Sequence, residues 1–437
     1  MEIEVVFFSI GIIAVIGYVA SNIFERTGVP DIPFLILLGI LASRYVIDGT
    51  QGLELIAPYL AAVAIAVILF NGGMYLKLRQ VIEDTPKGFL ITSVSVVFTI
   101  AILSGVGYLI NLFVLDNSWG TGREALLSCL FFGSALCGTS SAVIIPLVSK
   151  LKIDKKAETF LTIESAFTDV FVVVLSVTIL SIISGAGDVN SPTAATSFLQ
   201  GIAGKFSIGI VFGILGGLFW LKILQSFPTR MGRITSQQDV VHDDILTLTT
   251  CLMLYGFSEM SGGNGALAAL CFGLVLGNGK EFGFIPSFRT NPVDAGSLMR
   301  KFQGQISFLL TTFFFVYLGM IFQATLNIVI IGVILTILLL VARNLSFRFT
   351  IKNDKSMMKN IKLLSFMLPR GLAAAAVSQL PRTFGIDWPF MQSLVVSVII
   401  FSVLSAAVGS YFYGRNEDVG QDTVETCLLY TSDAADE

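Results

Sequence analysis

The sequence predicts an all-α polytopic membrane protein of about thirteen transmembrane helices. Three observations carry that prediction. Residues of the set AVILMFWYC make up 54% of the 437-residue chain and charged residues only 13%, about half the share found in a soluble domain. The mean hydropathy is +0.83, and apolar stretches of about 20 residues recur along the chain. Two of those stretches are interrupted midway by small, polar or proline residues.

The first span, 3–24, follows an acidic start, MEIEVVFF. A cleavable leader would begin basic, and this segment is long enough to stay in the bilayer. Spans follow at 30–46, 56–76 and 88–114. The next, 123–149, is broken at Cys137-Gly138-Thr139-Ser140-Ser141, with Pro146 beyond. Span 158–184 carries ESAFTD at 164–169. Span 199–225 sets Gly209, Gly213 and Gly217 at four-residue spacing, which lets a neighbouring helix approach closely. Spans 243–260, 262–279, 302–322 and 325–349 lead to 358–380, which is broken at Pro369-Arg370-Gly371, and 387–413 closes the series. Small hydroxyl residues beside a glycine suit an unwound stretch whose freed backbone groups face a cavity. Two broken segments at corresponding positions imply inverted repeats, spans 1–6 and 8–13, joined by span 7.

The net charge of −3 offers no basic surface for nucleic acid. Cys129, Cys137, Cys251 and Cys271 lie in apolar spans without ligand spacing and read as small packers. No resident cofactor is expected, and no catalytic set marks an enzyme. Lysine and arginine divide the loops unequally. One side holds nearly all of them, including Lys150, Lys152, Lys155 and Lys156, and the other holds Arg44, Arg123 and Arg382. The rule that cytoplasmic loops are basic then puts the N-terminus outside and the C-terminus in the cytoplasm. The last eleven residues, CLLYTSDAADE at 427–437, resemble a translated sequencing-library adapter rather than native chain. The expectation is that 414–426 begins a cytosolic tail and that a regulatory domain is missing beyond it.

ESAFTD carries the chemistry. A carboxylate at a helix centre costs about 2.5–3.5 kcal/mol on insertion scales, so such residues are functional by default. At about 100° per residue, with Glu164 at the origin, Thr168 lies near 40°, Ser165 near 100° and Asp169 near 140°. All four polar groups share one arc, with the two acids at its edges and about 7.5 Å apart along the axis. They are therefore expected to have different partners. VFVVVL follows Asp169, so its carboxylate is desolvated. It can hold either a proton or a monovalent cation, but not both favourably. That competition is the minimum machinery for cation/proton exchange. Ser165, Thr168 and the broken stretch at Thr139 and Ser140 could complete a hard-cation shell. Glu164 suits a structural pair, with Arg343 as the available partner. The other reading of Arg343 is an arginine that snorkels to the interface. Arg370 sits beside the second break, where it either compensates half-helix carbonyls or serves as an interfacial arginine. His242, the single histidine, reads as a solvated loop residue rather than a pH sensor, and Glu259 as a solvated acid near a span end.

At these residues the chain resembles the cation:proton antiporter superfamily, especially sodium/proton antiporters of the NhaP and NHE type. ESAFTD is similar to the family's ESxxND, GTSSAV to its TDPVAV, and LFNGGMYLKLR (69–79) to its LFxGGLxxxLR. PRGLAAAAV and FSEMSGGNGALAALCFGLVLGN match its second broken helix and its eighth-to-ninth span pattern, and Arg343 matches the arginine that pairs with the glutamate. The resemblance runs to about residue 413. It implies an NhaA/NhaP-like fold with crossed broken helices and a homodimer in the cell membrane. A scaffold, 3–76 and 199–322, would carry the interface, and a core, 88–184 and 325–413, would carry the ion. Asn71 stands where an acid is common, Ser140 where Asp is common, and Thr168 where Asn is common, and the Ser-Ser-Ala-Val stretch is similar to Kef-type potassium/proton exchangers. The expected activity is electroneutral exchange of Na⁺, K⁺ or Li⁺ for H⁺ through Asp169. Two other classes stay open: a sodium-coupled symporter of organic anions, and a transport-dead or regulatory homologue.

Overall fold

The computed structural model describes residues 3–27, 31–43, 50–76, 78–148, 155–184, 194–226, 237–284, 297–352 and 355–433, and among them there is no β-strand. Side chains of part of these helices, including all beyond Phe412, lie outside the described residues. The chain opens with α1 (Ile3–Thr27), α2 (Ile32–Ser43), α3 (Thr50–Tyr75) and α4 (Leu78–Phe113). The first break separates α5 (Arg123–Ala135) from α6 (Ser141–Val148), and α7 (Lys155–Ile183) carries ESAFTD. Then come α8 (Ala194–Ser226), α9 (Gln237–Met260), α10 (Gly265–Gly277), α11 (Ser297–Ile321) and α12 (Leu326–Thr350). Four short helices make the second broken segment: α13 (Lys355–Lys359), α14 (Ile361–Phe366), α15 (Leu372–Val377) and α16 (Leu380–Thr383). The last helix is α17 (Met391–Asp433).

Every span read from the sequence overlaps a helix, and both breaks fall where the small and proline residues predict them. Among the described residues, five helices are long and apolar enough to cross a bilayer, in α4, α8, α11, α12 and α17, and five more stretches are apolar but shorter. Apolar side chains such as Tyr18, Leu90, Val97, Phe219 and Phe349 face outward, which suits lipid as the surrounding solvent.

Glycine decides how near the helices come. α8 packs along α10, and a Cβ on Gly213 would lie 2.5 Å from the Ala268 carbonyl oxygen. The Gly209–Gly213–Gly217 stripe therefore does what its spacing predicts. α2 and α11 cross where Gly39 and Gly319 face each other, each within 2.0 Å of a backbone oxygen if given a Cβ. α4, α5 and α7 pack on one another, α4 also on α12, and α12 on α17. One continuous apolar core runs beneath both breaks, from Phe131 and Phe132 through Val172 and Val174 to Ala374, Val395 and Ile399.

Candidate ion-binding site

The site begins with two helices that stop early. α5 ends at Ala135, and the chain runs unwound until the Ile144 amide donates to the Ser140 carbonyl and starts α6. The second segment stops at Phe366 and resumes when the Ala375 amide donates to the Gly371 carbonyl. The two breaks meet. The Ser140 amide donates to the Pro369 carbonyl at 2.7 Å, and Gly371 lies so close that a Cβ there would be 2.1 Å from the Ser140 hydroxyl oxygen. Unwound backbone here is buried in protein and bonded across the junction, the condition for non-helical chain at membrane depth.

Arg370 crosses the junction. It is 2% exposed, its guanidinium Nη1 donates to the Gly138 carbonyl, and its backbone amide donates to Ser402 Oγ at 2.9 Å. The Gly138 carbonyl is one of those freed at the end of α5, so a positive charge there balances the dipole end of a half-helix. Of the two sequence readings of Arg370, the structure selects carbonyl compensation.

α7 supplies the acids. Glu164 and Arg343 form a bidentate pair, both N–O distances 2.7 Å, with both residues buried. Arg343 Nε also donates to the Leu364 carbonyl at 2.8 Å, and its guanidinium lies 4.5 Å from the centroid of the Phe347 ring. A fork-to-fork pair with a third donor satisfied is the geometry in which a buried ion pair holds. Snorkelling is ruled out for Arg343.

Asp169 is 7% exposed on the other edge of the arc. It faces a cavity of ≈ 10 Å³ that it lines together with Ser140 of the first break, Leu372 and Ala373 at the start of α15, and Ile65, Ile68 and Leu69 of α3. That is about the space of one water. Thr168 is spent differently. Its hydroxyl oxygen accepts from the Thr139 amide at 3.0 Å and lies 3.2 Å from Thr139 Oγ1, and the hydroxyl donates to the Ser165 carbonyl at 3.1 Å. Gly138 presses on the same turn, where a Cβ would lie 2.8 Å from the Thr168 carbonyl oxygen. Ser165 is buried. Thus Asp169 and Ser140 share the cavity wall, while Thr139 and Thr168 bind each other and fasten the break to α7. Asn71 on α3 is half-buried, and its side-chain oxygen has no hydrogen-bond partner.

Residues 11–410 match the family described as sodium/hydrogen exchanger, transmembrane. The chain belongs to that family. It is similar to the K(+)/H(+) antiporter NhaP2 of Shewanella sp. (strain MR-4), 28% identical over 278 residues, which are 62% of this chain and 44% of that protein. The match thus spans less than half of that relative's length. It is also similar to Na(+)/H(+) antiporter 1 of Methanocaldococcus jannaschii, 26% identical over 393 residues, 86% of this chain and 83% of that protein. Its fold is similar to the solved structure of the sodium proton antiporter MjNhaP1 from the same organism at pH 8, with a TM-score of 0.70 at 21% identity, covering 94% of this chain and 96% of that one.

Several site residues of this exchanger-family chain were missed in the sequence. Ile65, Ile68 and Leu69 form the cavity's far wall; Ile65 and Ile68 read as ordinary apolar span, and Leu69 only as the first residue of the LFNGGMYLKLR stretch. Ser402 receives the Arg370 amide with no motif to flag it. Asn278 bridges α3 and α4, accepting from the Leu78 amide at 2.9 Å and donating to the Leu76 carbonyl at 2.7 Å. Glu259 is exposed, as read, yet its carboxylate also accepts from the Gly265 amide at 2.7 Å at the start of α10. His242 lies in α9, and its side chain is outside the described residues.

Proposed function

We propose that the chain is an antiporter that exchanges one monovalent cation, Na⁺, K⁺ or Li⁺, for one proton by alternating access, with Asp169 as the carrier. The observation that carries this reading is the buried Asp169 carboxylate on a cavity walled by the first helix break and by the start of the helix that follows the second. Ser140, which lines the same cavity, is a candidate second ligand, with Ser165 and the freed carbonyls around Thr139 completing the shell. Thr168 and Thr139 hold the break in position. The names of the relatives, antiporters of K⁺ or Na⁺ against H⁺, support the same class of transport. The space beside Asp169 takes about one water, which favours a small cation over an organic anion. No covalent step and no cofactor enter the cycle.

Glu164 is a strut, neutralised by Arg343. One titrating acid then remains at the site, so each exchange cycle is electroneutral. The moving body comprises α4–α7 and α12–α17. The remaining helices form the scaffold of a homodimer in the cell membrane, with the N-terminus outside and the C-terminus in the cytoplasm. A polar cavity of ≈ 540 Å³, lined by Gln323, Arg382, Asp387 and Gln392 among others, lies between the end of α11 and the start of α17. It supports a seam between scaffold and core on the Arg382 side.

The test is exchange in proteoliposomes with a pH-sensitive dye, titrating Na⁺, K⁺ and Li⁺ against pH. Asp169→Asn is expected to abolish exchange with all three while the purified protein keeps its melting temperature. Exchange at the wild-type rate in that variant would overturn the assignment.

A further inference from the structure

A second feature lies away from the ion site, on the outer face of α12. A groove of ≈ 390 Å³ runs between α12 and α14, lined by Leu340, Val341, Asn344, Leu345, Arg348, Ser365 and Phe366. Val341, Leu345, Phe366 and Arg348 are exposed. Lipid-facing surface is apolar as a rule, so the apolar part alone says nothing. The order along the groove does.

Leu340, Asn344 and Arg348 stand at four-residue spacing, one helical turn apart, so they form one line along α12. The line passes from hydrocarbon to amide to cation over about 12 Å. At its middle the Asn344 side-chain nitrogen donates to Ser365 Oγ at 3.1 Å, and Ser365 Oγ donates to the Ile361 carbonyl at 2.7 Å. At its end Arg348 leads into the exposed residues Lys352, Lys359 and Lys362. Acyl chain, ester-bearing glycerol and phosphate follow in the same order in a glycerophospholipid. A basic end of this kind attracts anionic headgroups, by about 1 kcal/mol per residue at a membrane surface.

We propose that this groove holds one anionic glycerophospholipid, its acyl chain along Leu340, Val341, Leu345 and Phe366 and its phosphate at Arg348. The occupant touches both α12 and α14. Those are the elements that Arg343 ties together, through its bond to the Leu364 carbonyl, one residue before Ser365. Bound lipid therefore holds α14, the first half of the second broken segment, against the strut of the ion site. Its effect on exchange rests on the transport reading above; its binding does not.

Two readouts separate the two. Binding is measured by native mass spectrometry of the detergent-purified protein titrated with phosphatidylglycerol or phosphatidylcholine. Exchange is measured in phosphatidylcholine vesicles with and without phosphatidylglycerol. Wild type is expected to retain phosphatidylglycerol preferentially. Arg348→Gln is expected to weaken that retention about fivefold, Arg348→Lys to keep most of it, and Leu345→Trp, which fills the groove but leaves the charge, to lose it. Exchange in Arg348→Gln should match wild type in phosphatidylcholine and lose the gain that phosphatidylglycerol confers. Equal retention of phosphatidylglycerol by wild type, Arg348→Gln and Leu345→Trp would overturn the proposal, whatever the transport result. So would efficient disulfide cross-linking of Leu345→Cys between two copies in membranes, which would make the groove a protein interface. If retention follows the prediction but no variant or wild type exchanges ions, the transport reading fails and the lipid site stands.

Discussion

At the residue scale the two acids of ESAFTD on α7 are separated by their partners. Glu164 meets a bidentate guanidinium; Asp169 meets a cavity. The split makes different predictions for each. Removing one member of a buried pair strands the other charge, which costs about 3–5 kcal/mol. Arg343→Met should therefore lower the melting temperature strongly, and the double variant Arg343→Met with Glu164→Gln should recover most of that loss. A thermal-shift series on purified protein reads this directly, and no recovery in the double variant would mean the pair is not the cause. For Asp169 the prediction concerns pH. If, as proposed, a proton and a cation compete for this one carboxylate, the apparent cation affinity falls as pH falls, while saturating cation restores the same maximal rate. Rates measured over cation concentration at several pH values check this, and a maximum that drops with pH despite saturation would count against simple competition.

Much of this was legible. The helical arc of ESAFTD separates the acids by arithmetic alone, and Arg343 was the available cation for Glu164. The role of Thr168 was not legible. Its neighbour Thr139 is 29 residues away in sequence, and nothing in the string says that a hydroxyl will bond to an amide of the break rather than to an ion. Ile65 and Ile68 were invisible for the opposite reason. An apolar cavity wall and an apolar lipid face are spelled with the same residues.

At the scale of elements the junction of the two breaks is the tightest contact in the site. Gly371→Ala puts a Cβ 2.1 Å from the Ser140 hydroxyl oxygen, so one segment must shift. The expected result is loss of most exchange with the fold retained, since the clash falls between the breaks and not in the apolar core. Vesicle exchange paired with a melting curve tests it. Gly213→Leu acts elsewhere, prising α8 from α10, and overpacking of this kind costs about 1–3 kcal/mol. It should lower the melting temperature while the surviving protein keeps its ion selectivity. Glycine spacing predicted the α8 contact, because close approach of helices leaves a periodic mark. The bond from Ser140 to Pro369 leaves no mark, because any residue but proline supplies an amide.

At the scale of the molecule, charge accounting sets the coupling of the proposed exchange. With Glu164 neutralised by Arg343, one proton should exchange for one monovalent ion. Exchange at fixed gradients should then be unchanged when valinomycin and potassium impose a membrane potential. A rate that follows the imposed potential would require a second titrating group in the cycle.

The size of the cavity beside Asp169 has a consequence of its own. A space of ≈ 10 Å³ takes about one water, so in the proposed exchange a cation would reach Asp169 without its full hydration shell. The shell must be shed where backbone carbonyls and hydroxyls replace it, as in a selectivity filter. Dehydration then becomes part of the barrier. Ions that hold their water most firmly should cross with the steepest dependence on temperature, and the ranking of Li⁺, Na⁺ and K⁺ should be read from activation enthalpies as well as from affinities.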